Sequence, residues 1–259
     1  EAQVAALEAM AGSGALAICR STGDIRSAMA DGQIAAIFHI EGAEAIGPDL
    51  EELDLYHARG LRSLGPVWSR PTIFADGVPF RFPSSPDTGP GLTVAGERLV
   101  RRCNALRVMI DLSHLNEKGF WDVARISDAP LVATHSNAHA LCPHSRNLTD
   151  DQLRAIAESD GMVGVNFAVS FLRTDGRMLP DVPLGRVLDH IDHLIGILGE
   201  DRVGLGSDYD GAVVPRDLTT VADLPRLRQA MADRGYGAEL MAKLCHGNWL
   251  RVLEKTWGA

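Results

Sequence analysis

The 259 residues carry 25 Lys and Arg against 34 Asp and Glu, a formal charge of −9, with 46% hydrophobic and 23% charged residues. That acidic excess argues against a nucleic-acid partner, which needs clustered Lys and Arg to meet phosphates, and the composition is that of an ordinary globular chain. No apolar run approaches the roughly 18 to 20 residues that cross a bilayer and no basic-then-apolar leader opens the chain, so no membrane segment is expected and a cytoplasmic location is.

In chain order, Glu1–Met10 reads as a helix. Because the chain opens inside it without an initiator Met, further sequence is expected upstream. Ala15–Cys19 is a short additional strand candidate, and the amphipathic stretch Thr22–Ala30 leads into the apolar run Ile34–Ile40. Similar runs follow at Leu61–Val67, Val108–Leu112, Leu131–Thr134, Met162–Asn166 and Val203–Gly206. Short, nearly continuous apolar runs of this kind are strands buried on both faces. Between them lie amphipathic helices at Thr93–Leu106, Glu117–Ile126, Asp150–Ser159, Leu184–Leu198 and Leu224–Arg234, and a last helix, Gly237–Lys255, would pack Leu240, Leu244, Leu250 and Leu253 onto the body.

Strands alternating with helices spell βαβ units and a parallel sheet. At this length the expectation is one α/β domain over residues 1–259, a (β/α)8 TIM-type barrel whose first strand is missing from the chain. The segment Arg70–Gly91, rich in Pro, Gly, Ser and Phe, follows neither period and is expected to loop over the active face as a spacer without chemistry of its own. Cys19, Cys103, Cys142 and Cys245 form no CxxC pair and read as inert thiols.

Catalytic groups of a parallel α/β barrel sit where strands end, because several side chains converge on that rim. Here one apolar run ends in Glu41, the next in His114, a third in His135, and Val203-Gly-Leu-Gly-Ser ends in Asp208. Carboxylates and imidazoles at strand termini are the donor types that Zn²⁺ or a comparable divalent ion takes. Any one of them could instead be a hydrogen-bonded loop residue or a helix N-cap. The sequence Asp189-His190-Ile-Asp192-His193 looks rich in ligands, yet its helical setting spreads these residues around the axis and a solvated helix face is the simpler expectation. His39 reads as a core or supporting residue, and His139 and His144 lie in the loop after His135 without an assigned role.

The segments Ile40-Glu-Gly42, Ile110-Asp-Leu-Ser-His114, Ala133-Thr-His-Ser136, Ser145-Arg-Asn147, Val165-Asn-Phe167 and Gly206-Ser-Asp-Tyr-Asp-Gly211 occur together and in order. In this the chain resembles the membrane (renal) dipeptidase family, zinc-dependent barrel hydrolases. The resemblance implies that Glu41 bridges two zinc ions, that His114 and His135 bind the second of them, that Asp208 shuttles protons, and that Arg146 grips the substrate's terminal carboxylate. The planar guanidinium fork suits two-point contact with a carboxylate.

Two departures from the family pattern stand out. The His-x-Asp pair of the opening strand is not in these residues, so the resemblance implies one zinc ion per chain, or two if that pair lies upstream. Trp68 stands where the family carries a histidine that holds the scissile carbonyl oxygen, and an indole N–H donates one hydrogen bond without charge. The implied activity is hydrolysis of dipeptides, or similar small amides with a free C-terminal carboxylate, through a metal-bound hydroxide. A shift toward lactones or N-acyl compounds and a metal-depleted, non-catalytic barrel are the alternatives. The family also suggests a homodimer, by analogy alone.

Overall fold

A computed structural model describes residues 1–258 of the chain. Helix α1 (Ala2–Gly12) is followed by β1 (Leu16–Ile18), α2 (Thr22–Ala30), β2 (Ile34–Ala36), β3 (Phe38–Glu41), α3 (Glu51–Arg59), β4 (Leu61–Gly65), α4 (Val94–Leu106), β5 (Met109–Ile110) and α5 (Glu117–Ile126). The second half continues with β6 (Val132–Ala133), α6 (Asp150–Glu158), β7 (Met162–Val165), α7 (Val169–Leu172), α8 (Leu184–Leu198), β8 (Val203–Leu205), α9 (Leu224–Asp233), α10 (Ala238–Ala242) and α11 (Asn248–Trp257). Strand starts such as Leu61 and Met162 fall where the apolar runs begin, and Ala15–Cys19 does supply a strand.

The strands pair in parallel and in chain order, as β1-β2, β3-β4-β5 and β6-β7-β8. A parallel bridge from Asp111 to Val132 links the second group to the third. The fold is therefore α/β with parallel strands, as the alternation predicts.

Side-chain chemistry sets the helix starts. Ser21 and Thr149 form reciprocal capping boxes with Asp24 and Gln152, while Thr93 and Asn116 cap the starts of α4 and α5. Each cap satisfies amide donors that the first helical turn leaves without partners. The expected terminal helix is broken by a π-helical turn at Lys243–Gly247, beyond which the Trp249 indole donates to the carbonyl of Leu205 on β8 (3.0 Å).

The strands are shorter than the apolar runs predict, the run Ile34–Ile40 being split into β2 and β3, and the two shortest bear on the site. β5 and β6 keep two residues each; beyond β5 the amides of Asp111 and Leu112 still reach the carbonyls of Leu64 and Val132, after which the chain turns to side-chain partners. The amides of Ser113 and Thr134 both donate to Asp111 Oδ1 (3.0 and 2.9 Å), and that of His135 donates to Ser113 Oγ (3.0 Å). A register shift between Phe38 and His39 likewise re-aims the end of β3, where Glu41 sits. No helix among the described residues is long and apolar enough to cross a membrane.

Candidate active site

The ends of β3, β5 and β6 bring Glu41, His114 and His135 together. Glu41 Oε1 lies 3.0 Å from His114 Nε2 and 3.2 Å from His135 Nε2, and the two Nε2 atoms are 3.1 Å apart. Among the described residues these three form a cluster able to hold a metal ion. Donor atoms around a tetrahedral zinc ion, with bonds of roughly 2.0–2.1 Å, are separated by about 3.3 Å, so the triangle has the size and the donor types the ion requires.

The remaining ring nitrogens are fixed by hydroxyls. Ser69 Oγ lies 2.8 Å from His114 Nδ1, and Thr134 Oγ1 lies 2.7 Å from His135 Nδ1. Thr134 in turn donates to Asp111 Oδ2 (2.6 Å), which directs its hydroxyl proton away from the imidazole. A chain running from His135 Nδ1–H through Thr134 to Asp111 leaves the Nε2 lone pair facing Glu41, as a metal ligand needs. The buried Asp111 carboxylate also accepts from the Ser113 hydroxyl (2.6 Å), so hydrogen bonds compensate its desolvation.

Electrostatics favour the same protonation states. Burial, reinforced by the nearby Arg146 cation, pushes His114 down to about 3, which keeps the ring neutral. The Glu41 carboxyl is held far below the usual range by hydrogen bonds it accepts when the facing Nε2 atoms carry their protons, a place that a bound cation would take instead. An ionised carboxylate beside a neutral imidazole is the form in which both bind a cation.

Asp208 follows β8 with a left-handed backbone (φ 60°), a conformation that Asp tolerates better than most residues. Its Oδ2 accepts from Asn166 Nδ2 (3.0 Å), and the residue borders a cavity of about 630 Å³ together with Glu41, His114 and Trp68. Trp68 lies over His114, ring centroids 5.9 Å apart.

Arg146 is 2% exposed. One terminal nitrogen donates to the carbonyl of Ser113, the other to that of His135 (3.1 Å), so the guanidinium ties together the two backbone turns that carry the imidazoles. Its Nε is buried without a partner, and the guanidinium carbon lies 5.3 Å from the centroid of Phe171, which lines the cavity. Burial pushes it down to about 10, still cationic at neutral pH.

Two sequence expectations are revised. His190 is fully buried, not on a solvated face. Its Nδ1 accepts from the amide of Ala138 (3.2 Å) and its Nε2 meets the carbonyl of Leu172 (3.2 Å), which joins α8 to the loop carrying Arg146. The segment Arg70–Gly91 does loop over the site, but it sends Phe80 and Phe82 into the cavity instead of serving as a bare spacer. Asp111, Ser69 and Asn166 went unassigned from sequence, although Asp111 and Asn166 lie inside quoted segments. Their hydrogen bonds fix His114, His135 and Asp208.

Parallel strands that deliver a carboxylate and two imidazoles to one point, beside a cavity large enough for a small amide, define a metal-dependent hydrolase of the α/β class. A family profile described as membrane dipeptidase (peptidase family M19) matches residues 1–257, and the chain belongs to that family. It is 61% identical to a solved metallopeptidase described as dipeptidase AC, covering 100% of this chain and 77% of that one with a TM-score of 0.98. A Rhodobacter sphaeroides metallopeptidase, solved with a phosphinate mimic of L-Ala-D-Ala, is 60% identical over 99% of this chain and 73% of its own, with a TM-score of 0.96. A Klebsiella pneumoniae protein, described as an uncharacterized protein in the pqqA 5' region, is 52% identical over 244 residues, 94% of this chain and 90% of its own length.

Proposed function

We propose that the chain is a zinc-dependent dipeptidase acting on dipeptides, or similar small amides, that carry a free C-terminal carboxylate. The observation that carries this reading is the mutual approach of Glu41 Oε1, His114 Nε2 and His135 Nε2 to within 3.2 Å. These three residues would hold the ion, one or two per chain. A divalent ion held there would supply Lewis acidity for a water and for the carbonyl under attack.

The remaining work falls to the protein. Asp208, with Asn166 holding one carboxylate oxygen, has its other oxygen for taking a proton from the attacking water and returning it to the leaving amine nitrogen. Arg146 supplies positive charge, and its unpartnered Nε–H is a donor for the substrate's terminal carboxylate. The Trp68 indole offers a neutral N–H toward the carbonyl oxygen, a weaker stabiliser than a cationic imidazole. A closed eight-stranded barrel is the architecture that this reading implies.

The test is to load the protein with zinc and assay dipeptides beside their C-terminal amides, lactones and N-acyl amino acids. Dipeptides hydrolysed far ahead of the others, with activity lost on chelation and restored by zinc, support the reading. Equal rates on acids and amides remove Arg146 from its role, and a preference for lactones moves the substrate class.

A further inference from the structure

The cavity in front of Glu41 and His114 has one wall that the chemistry of hydrolysis does not require. Residues 66–93, between β4 and α4, supply Trp68 and Phe80, packed edge to face with ring centroids 5.4 Å apart. Phe80 also stacks on Phe171 (6.1 Å) and stands 6.4 Å from the His114 ring. Met178 and Val213 complete the surface. Gly176, at φ +63°, lies against the Phe82 ring, where any added Cβ would collide, so the loop bearing Met178 is seated on the loop bearing Phe80.

Apart from the buried Phe171, these side chains are displayed. Trp68, Phe80, Met178 and Val213 remain 37%, 55%, 67% and 41% exposed. Scattered apolar residues on a surface need no explanation, but a contiguous group lining a concave site does. No Lys or Arg is among the described residues lining the cavity itself, and the guanidiniums nearest to it are occupied over the aromatic wall, Arg70 on Trp68 (5.7 Å) and Arg146 on Phe171 (5.3 Å). An acidic substrate side chain placed there would lose water to an apolar wall that gives its charge no direct hydrogen-bonded partner, whereas a large apolar one would leave water for aromatic contact.

We propose that Trp68, Phe80, Phe171 and Met178 form a side-chain subsite selecting dipeptides in which a residue flanking the scissile amide is large and apolar, of the Leu, Met or Phe kind, over acidic ones. This rests on the dipeptidase reading above. Phe80 is its specificity-determining residue, since it touches both the Trp68 ring and the Phe171 ring and is more than half exposed.

The experiment measures kcat/KM of the zinc-loaded protein for Ala-Ala, Ala-Leu, Leu-Ala, Ala-Glu and Glu-Ala. It also measures Kd for phosphinate dipeptide mimics bearing a Leu or a Glu side chain, which reads binding without turnover. The expected Leu-to-Glu preference is on the order of 10-fold to 100-fold in both quantities, narrowing several-fold in Phe80→Ala and retained in Phe80→Leu. A preference near one or favouring Glu, or one unchanged in both Phe80→Ala and Met178→Ala, overturns the subsite while leaving the dipeptidase reading in place. No hydrolysis of any dipeptide removes that reading and the subsite with it.

Discussion

The imidazoles of His114 and His135, 21 residues apart in the chain, meet with their Nε2 atoms 3.1 Å from each other. Two such lone pairs facing one carboxylate oxygen repel unless a proton or a cation lies between them, and the burial that keeps His114 neutral disfavours the proton. Replacing either histidine by Ala is therefore expected to abolish stoichiometric zinc binding and to lower kcat/KM on the order of 1000-fold or more. Metal analysis after dialysis, alongside a dipeptide assay, checks this. A variant that keeps one tightly held ion and near-native activity would contradict it.

The Thr134 hydroxyl stands between His135 Nδ1 and Asp111 Oδ2, 2.7 and 2.6 Å away. Thr134→Val preserves shape and deletes both hydrogen bonds. Zinc affinity is expected to fall roughly 10-fold to 100-fold, as when the outer partner of a ligating histidine is lost. Competition with a chromophoric chelator reads the change, and cobalt substitution should show an altered visible spectrum. Native affinity and spectrum together would show that the hydroxyl has no orienting role.

Arg146 ties the turns before His114 and after His135, and its Nε is buried without a partner. Arg146→Lys keeps a charge and loses the planar fork. The expected result is a fall in kcat/KM for dipeptides on the order of 10-fold to 100-fold, mostly through KM, with a smaller fall for C-terminal amides. Equal losses on both substrate types would leave Arg146 with its structural ties alone.

His190 gives the pH dependence of stability. Burial pushes its ring down to about 4 from an ordinary 6.5, and the Ala138 amide occupies the nitrogen that would take the second proton. The unfolded chain binds that proton first, so the contribution is complete above about pH 6.5, declines as pH falls toward 4, and is flat below. Its limit is up to about 3 kcal/mol. His190→Gln should flatten the pH dependence of the denaturant midpoint in that window relative to the native chain. An unchanged slope would show that another group titrates there.

The α/β alternation and the positions of Glu41, His114 and His135 are legible in the sequence for one reason: each of these polar residues terminates an apolar run. Asp111 escapes the same reading because it lies inside such a run, where only the fold shows it gathering the amides of two strand ends. His190 is masked by Asp189 and Asp192, which place it in an apparently polar stretch although it projects inward with Leu194 and Ile191. Phe80 belongs to a segment with no periodicity, so its neighbours Trp68 and Phe171 appear only in three dimensions. Arg146 entered through family resemblance, and no spacing rule would have placed its fork across the turns that hold two ligands.

What lies between Glu41, His114 and His135 decides the chemistry of the site. An anomalous difference map at the zinc absorption edge, from crystals of zinc-loaded protein, is predicted to show a peak within about 2.0–2.2 Å of one carboxylate oxygen and both Nε2 atoms. Protein that hydrolyses dipeptides while its zinc peak lies away from these three donors would contradict it.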